Sequence, residues 1–169
     1  MRHREPTIRT TREEDWRQVR ELRLEMLQDT PLAFGETYEH ALGVSEAVWR
    51  MRAARGTTPG QTSVVAIDRD RWVGHMGGWV PDAASGPLLV GVYVSPAYRG
   101  DGRGVSRRLL EAVEEWALGH GDALRLEVHE QNPRAIAFYE KLGFSLTGHS
   151  RAYELEPGGL ELEMIKRLR

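Results

Sequence analysis

"LLVGVYVSPAYRGDGRGVSRRLLEAVEEWAL", residues 88–118, runs from an apolar stretch through a glycine-rich basic turn into a segment with helical period. Leu88 to Val94 has the composition of a β-strand, and Ser95-Pro96 ends it, because proline cannot continue a ladder. Tyr98 to Gly104 then places three glycines and two arginines in seven positions. From there Val105, Leu109, Ala112, Val113, Trp116 and Ala117 fall at i, i+4, i+7, i+8, i+11 and i+12, one stripe that predicts a helix packed on a sheet. Strand, glycine turn and helix in this order suit an anion. Glycines admit close backbone approach and positive φ, and the unpaired N–H groups of the first helical turn act together with the helix dipole. Arg103, Arg107 and Arg108 crowd the positive end of the helix, and Glu114 and Glu115 sit toward the negative end. Each such charge costs about 0.3–1 kcal/mol when exposed, and a bound anion would compensate. A plain surface turn is the other reading. The spacing Gly100-x-Gly102-x-Gly104 fits neither the dinucleotide fingerprint nor the nucleotide P-loop.

Working outward, a short strand near Thr7 precedes a predicted helix from about Glu13 to Asp29, with Trp16, Val19, Leu22 or Arg23, Met26 and Leu27 recurring at three to four residues. Pro31 ends it, and "PLAFGETYEHALGVS" reads as a loop before a second helix from about Glu46 to Arg55, with Ser45 as N-cap. "SVVAID", "RWVGHMGGWV" and "LLVGVYV" form an antiparallel meander. After the helix that follows the glycine turn come a strand "LRLEV", a short helix, and two last strands within "FSLTGHSRAYEL" and "LELEMIKRL". The order β-α-α-β-β-β-α-β-α-β-β predicts a mixed sheet flanked by helices.

The chain has 169 residues, 40% of them hydrophobic, which suits one domain over 1–169 with a core of its own. Lys plus Arg number 23 against 25 Asp plus Glu, so no global basic field draws nucleic acid. There is no cysteine, hence no disulfide, thiolate nucleophile or thiolate metal site. The six histidines form no His-x-x-x-His pair beside a glutamate, and no metal is expected. No apolar run approaches the roughly 20 residues that span a bilayer, and the charged start "MRHREPTIRT" leads into no signal-peptide core. The expectation is a cytoplasmic protein with neither membrane nor nucleic-acid partner.

A second motif narrows the reading. "NPRAIAFYEKLGF", residues 132–144, is a short helix with Asn132 as N-cap, Pro133 at the first helical position and Gly143 just past the end. Arg99-x-x-Gly102-x-Gly104 after a strand, followed by Asn132-x-x-Ala135-x-x-Phe138-Tyr139-x-Lys141-x-Gly143-Phe144, resembles the GCN5-related N-acetyltransferase (GNAT) family. The resemblance is close from about Leu88 to Phe144, roughly a third of the chain, and weak in residue identity before Gly74. It implies an α/β (α+β) single-domain fold with a central mixed, mostly antiparallel sheet of six to seven strands and about four helices. It also implies acetyl-CoA as cosubstrate and transfer of its acetyl group to a primary amine by direct attack through a tetrahedral intermediate.

By that resemblance the backbone of Arg99, Gly100, Asp101, Gly102, Arg103, Gly104 and Val105 holds the CoA pyrophosphate. The preceding strand, Val92, Tyr93 and Val94, opens from its neighbour, Val94 pairing with the pantetheine amides and Val92 N–H stabilising the oxyanion. Asn132 contacts pantetheine, and Tyr139 is the general acid for the leaving thiolate. Glu127 lies twelve residues before Tyr139, the spacing of the subgroup resembling bacterial ribosomal-protein N-terminal acetyltransferases, where this glutamate is the base. Alternation in "LRLEVHE" sets Leu124, Leu126 and Val128 on one face and Arg125, Glu127 and His129 on the other, so Glu127 could equally pair with Arg125 or His129. Glu36, Tyr38, His75 and His129 are rival groups, and Glu36, Glu39 and Glu154 could attract a cationic amine. The acceptor is read as a small-molecule amine, with a protein N-terminus or a non-catalytic acyl-CoA-binding module as alternatives. A homodimer is left open.

Overall fold

The computed structural model describes residues 4–100 and 104–169. Seven strands form one sheet in the order β1-β2-β3-β4-β5-β7-β6, with β1 Thr7–Thr10, β2 Gln61–Asp68, β3 Arg71–Trp79, β4 Leu88–Val94, β5 Ala123–His129, β6 Ser145–Ala152 and β7 Leu160–Arg167. All neighbours are antiparallel except β4 and β5. The mixed, mostly antiparallel sheet expected from the sequence is present.

The helices divide between the two faces. Trp16–Asp29 (α1), Tyr38–Leu42 (α2) and Glu46–Ala53 (α3) precede the meander, and Val105–Leu118 (α4) and Pro133–Lys141 (α5) follow it. Val105, Leu109, Leu110, Val113 and Ala117 of α4 join Val64, Met76, Leu89, Leu124, Leu126 and Val128 in the main core, with Ala135, Phe138 and Tyr139 of α5 packed against it. On the opposite face Leu22 and Met26 of α1 meet Val65 and Tyr93, and Leu27, Ala41 and Trp49 bind the first three helices together. The predicted stripe of α4 is therefore a core stripe, widened by Leu110.

Two local expectations need correcting. The segment read as a loop before α3 contains α2, a five-residue helix capped by Thr37, whose hydroxyl accepts from His40 N–H at 3.1 Å. A helix this short shows no period in sequence. The misplaced charges of α4 are also partly answered inside the fold. Arg108 donates to the Pro6 carbonyl at 2.8 Å and Glu114 pairs with Lys166, so only part of that charge is left for an anion to offset. Among the described residues no helix is long and apolar enough to cross a membrane.

Candidate active site

β4 and β5 share a single pair, Leu88 with Arg125, reinforced by Arg125 N–H to the Pro87 carbonyl at 3.2 Å. Past that point the two strands are not paired, and the sheet has a split between its antiparallel halves. Ser95 N–H bonds the Val73 carbonyl at 2.8 Å. By strand alternation Tyr93 and Ser95 then turn their main chain to β3, and Val92 and Val94 turn theirs to the split. Arg99 Nε donates to the Val94 carbonyl at 2.7 Å and a terminal nitrogen of Arg99 reaches Asp29. Of the two Val94 groups expected to pair with a ligand, the amide is therefore the one left open. Tyr93 does not turn to the split at all: its hydroxyl donates to Glu25 at 2.7 Å on the α1 face. Its place among the cofactor-binding residues is corrected on that ground.

A β-bulge sits in β4 where the register shifts between the pairs His75–Tyr93 and Gly77–Val90. Two residues, Gly91 and Val92, stand opposite Met76 alone, and Gly91 takes a left-handed φ of 59°. A Cβ there would lie 2.9 Å from the His75 ring. His75 closes the bulge, its Nδ1 lying 2.6 Å from the Gly91 carbonyl and its Nε2 3.0 Å from Ser63 Oγ. A carbonyl only accepts, so Nδ1 carries the proton and Nε2 accepts from the serine. Burial holds His75 down to about 4, partly offset by the Gly91 bond. Both nitrogens are engaged, the Nε2 lone pair by Ser63, so His75 has no open position facing an acceptor among the described residues. The bulge was legible only as a glycine inside an apolar strand.

At the other end of β4, Gly100 and Gly104 both have positive φ, 108° and 62°, and among the described residues an added Cβ at either would meet nothing within 4 Å. Gly104 is the N-cap of α4 and has no side chain of its own to cap that end. Among the described residues no side chain accepts from the first-turn N–H groups of α4, an end of a helix that suits an anion such as a diphosphate. Val105 gives only main chain, since its side chain is buried in the core. Asp101, Gly102 and Arg103, expected in the same cradle, lie outside the described residues.

Tyr139 and Glu127 lie on opposite faces of the sheet. Tyr139 is half-buried on the α5 side, its ring against Phe138 and Phe144 at centroid distances of 5.4 and 6.0 Å. Its hydroxyl has no hydrogen bond among the described residues, and burial pushes the phenol well above its usual range. Asn132 caps α5, its Oδ1 accepting from Ala135 N–H at 3.1 Å. Glu127 projects from the other face of β5 with its side chain 24% exposed, and its partner is neither Arg125 nor His129 but Arg151, at 2.8 Å. Burial, then the hydrogen bond that protonated Glu127 donates to Glu161 and repulsion by Glu161 and Glu163, outweigh Arg151 and raise Glu127 to about 7.

The other rivals are spoken for. His129 lies 2.8 Å from Glu156 through Nε2, and its Nδ1 accepts from Gln131 N–H at 3.1 Å. Tyr38 packs in the cluster of Leu27, Ala41 and Trp49. Glu36 is buried and bonded by Arg23 and Arg52, which hold its carboxyl below the usual range against the opposing effect of burial. One contact had no sequence signal: Tyr153 donates its hydroxyl to the Leu32 carbonyl at 2.8 Å, tying the last hairpin to the segment between α1 and α2. Among the described residues no group of three or more acidic, His or Cys side chains is arranged to hold a metal.

Comparison with known proteins adds the following. The model of the "Acetyltransferase (GNAT) family" matches residues 16–144, extending well before the region of sequence resemblance. The chain is 34% identical over 92 residues to the peptidyl-lysine N-acetyltransferase YjaB of Escherichia coli, covering 54% of each chain. It is 42% identical over 60 residues to the N-alpha-acetyltransferase RimI of Mycobacterium tuberculosis, 36% of this chain and 35% of that one. It thus spans about half the length, or less, of these curated relatives. Among solved structures, yncA of Salmonella typhimurium, described as a putative acetyltransferase with its cofactor acetyl-CoA, shares the fold with a TM-score of 0.76 at 18% identity, over 98% of this chain and 95% of that one.

Proposed function

The chain belongs to the acetyltransferase (GNAT) family, and from that premise we propose that it moves the acetyl group of acetyl-CoA directly to a primary amine of a small molecule. The observation that carries the reading is the β4–β5 split, together with the glycine N-cap of α4, Gly104 at φ 62°, on the segment that follows β4 in the chain. Acetyl-CoA, as substrate, supplies the activated thioester. The α4 N-terminus would hold its diphosphate, the Val94 amide would pair with pantetheine, and Val92 N–H would bind the developing oxyanion. Tyr139 would give a proton to the leaving thiolate and Glu127 would take one from the amine. Without cysteine the chain has no thiol to carry the acetyl group, which fits direct attack.

A small acceptor is favoured over an extended peptide by the Tyr153–Leu32 contact, which joins two loops bordering the Glu127 side. The test is acetyl transfer to a panel of amines and peptides, read by product mass. Small amines should be acetylated faster than peptides, with kcat/KM rising with pH through about 7 as Glu127 loses its proton. Glu127→Gln should lose about 10²-fold or more and that inflection with it. Because its folded-state value lies above the ordinary one, Glu127 costs stability as pH rises from the usual carboxylate range through about 7. The Gln variant should therefore melt higher than the parent at pH 8. An unaltered pH profile in Glu127→Gln would remove it as the base.

His75 supplies a separate check on the oxyanion site. Asparagine sets its amide nitrogen near where Nδ1 lies, and glutamine sets its own nearer Nε2. His75→Asn should keep most of kcat, whereas His75→Gln should lose about tenfold to a hundredfold, with KM for acetyl-CoA little changed in both. Equal kcat in the two variants would show that the Gly91 contact does not aim the bulge.

A further inference from the structure

Arg151 reaches Glu127 across an intervening strand. In the sheet register Glu127 stands opposite Glu163, and Glu161 stands opposite His129 on one side and Arg151 on the other, so β5, β7 and β6 bring these side chains to one face. Arg151 Nε lies 2.8 Å from Glu127 Oε2 and 3.8 Å from Glu161 Oε2, and one guanidinium thus bridges two carboxylates. The neighbours along β5 are engaged elsewhere. Arg125 lies 3.8 Å from Glu163 and donates to the Ser85 carbonyl at 2.6 Å, and His129 is held by Glu156 at 2.8 Å. From the loop between β6 and β7, Tyr153 feels the charge of Glu161 and Glu156. Among the described residues Arg151 is the cation paired with Glu127.

Packing does not account for Arg151. Its side chain is 65% exposed, and β6 is an edge strand exposed along nearly its whole length. An exposed ion pair adds little to stability. The two carboxylates are far less exposed than the guanidinium between them, 24% for Glu127 and 18% for Glu161. Two like charges gathered on one nitrogen in partly dehydrated positions favour a proton on one of them, and the guanidinium favours its release. Arg151 and Glu161 therefore act on the same carboxyl group in opposite directions.

We infer, on the function proposed above, that Arg151 and Glu161 are positioning residues that clamp the Glu127 carboxyl group between them and set the pH at which it can take the proton of the amine. A base must be ionised before the transfer and hold a proton after it, so its proton affinity near the working pH decides its efficiency. After the transfer the proton sits on Glu127, which donates it as a hydrogen bond to Glu161. It then leaves to water, and Arg151 favours the return of the ionised form.

The test follows Glu127 both directly and through the rate. Its side-chain carboxyl carbon, titrated by carbon-13 NMR in the free protein, should show a midpoint of about 7 in the parent. Arg151→Met should raise that midpoint by about one unit and Glu161→Gln should lower it by about as much. Arg151→Lys should stay close to the parent, and the variant carrying both Arg151→Met and Glu161→Gln should return toward it. The inflection in kcat/KM for transfer to the amine panel should move in step: Arg151→Met should be about tenfold slower than the parent at pH 6 and within about twofold of it at pH 9. Midpoints unmoved in both single variants, shifts of the same sign, or a rate loss equal at every pH would overturn the clamp and leave acetyl transfer standing. Opposite shifts in the midpoint with an unshifted rate profile would remove Glu127 as the base, and this inference with it. Acetylation of no member of the amine and peptide panel by the parent would overturn the proposed function itself.

Discussion

Replacing Gly104 with valine should weaken CoA binding by about a hundredfold or more, measured by calorimetry, while circular dichroism still reports a folded protein. Gly104 has φ of 62° as the N-cap of α4, and among the described residues no atom lies within 4 Å of where its Cβ would be. A β-branched residue there meets two penalties. The left-handed conformation costs about 1–2 kcal/mol, which one exposed position can absorb, and the side chain fills the volume in which a diphosphate would meet the first-turn amides. Charge-assisted hydrogen bonds contribute about 1.5–3 kcal/mol each, so losing two of them accounts for the hundredfold. Gly104→Asn separates the penalties, because asparagine enters the left-handed region readily yet still occupies the space. It should bind CoA nearly as poorly as the valine variant. Affinity at the parent level in Gly104→Asn would mean that the backbone angle matters and the open space does not, and the cradle would have to be sought elsewhere.

The parts of the fold that could be read from sequence are those whose causes lie within a few residues. The strand ending at Ser95-Pro96, the stripe of α4 and the Asn132-Pro133 start of α5 each follow from local sterics or from one hydrogen bond, such as Asn132 Oδ1 to Ala135 N–H. Alternation in β5 correctly separated Leu124, Leu126 and Val128, which are in the core, from Glu127. What escaped has partners distant in sequence. Arg23 and Arg52 meet Glu36 across 13 and 16 residues, Tyr153 meets Leu32 across 121, and Glu127 pairs with Arg151 after a strand crossing. No period or motif encodes such pairings, because they depend on how the two faces of the sheet are covered. Tyr93 shows the same limit. Its position next to Val92 suggested a role at the split, whereas strand alternation and the Glu25 bond send it to the other face.

Tyr139→Phe is expected to lower kcat by about 10² to 10³ with acetyl-CoA affinity changed by no more than about twofold. The phenol hydroxyl makes no hydrogen bond among the described residues, and burial keeps it protonated well beyond the usual range. A group in that condition adds little to ground-state binding or to packing. Its worth would arise as negative charge develops on a leaving sulfur, when a proton donor in a dehydrated place is most effective. Removing the hydroxyl also leaves the contacts of the ring with Phe138 and Phe144 in place, so the variant should melt at the parent temperature or slightly above it. Because the phenol does not titrate across the working range, the rise in rate through about 7 should persist in Tyr139→Phe at a lower level and still report Glu127. The pair of variants thus divides the two proton transfers: one loses rate and keeps the pH inflection, the other loses both. Equal kcat in parent and Tyr139→Phe would exclude the phenol as the acid and leave the thiolate to depart unprotonated or to take its proton from water.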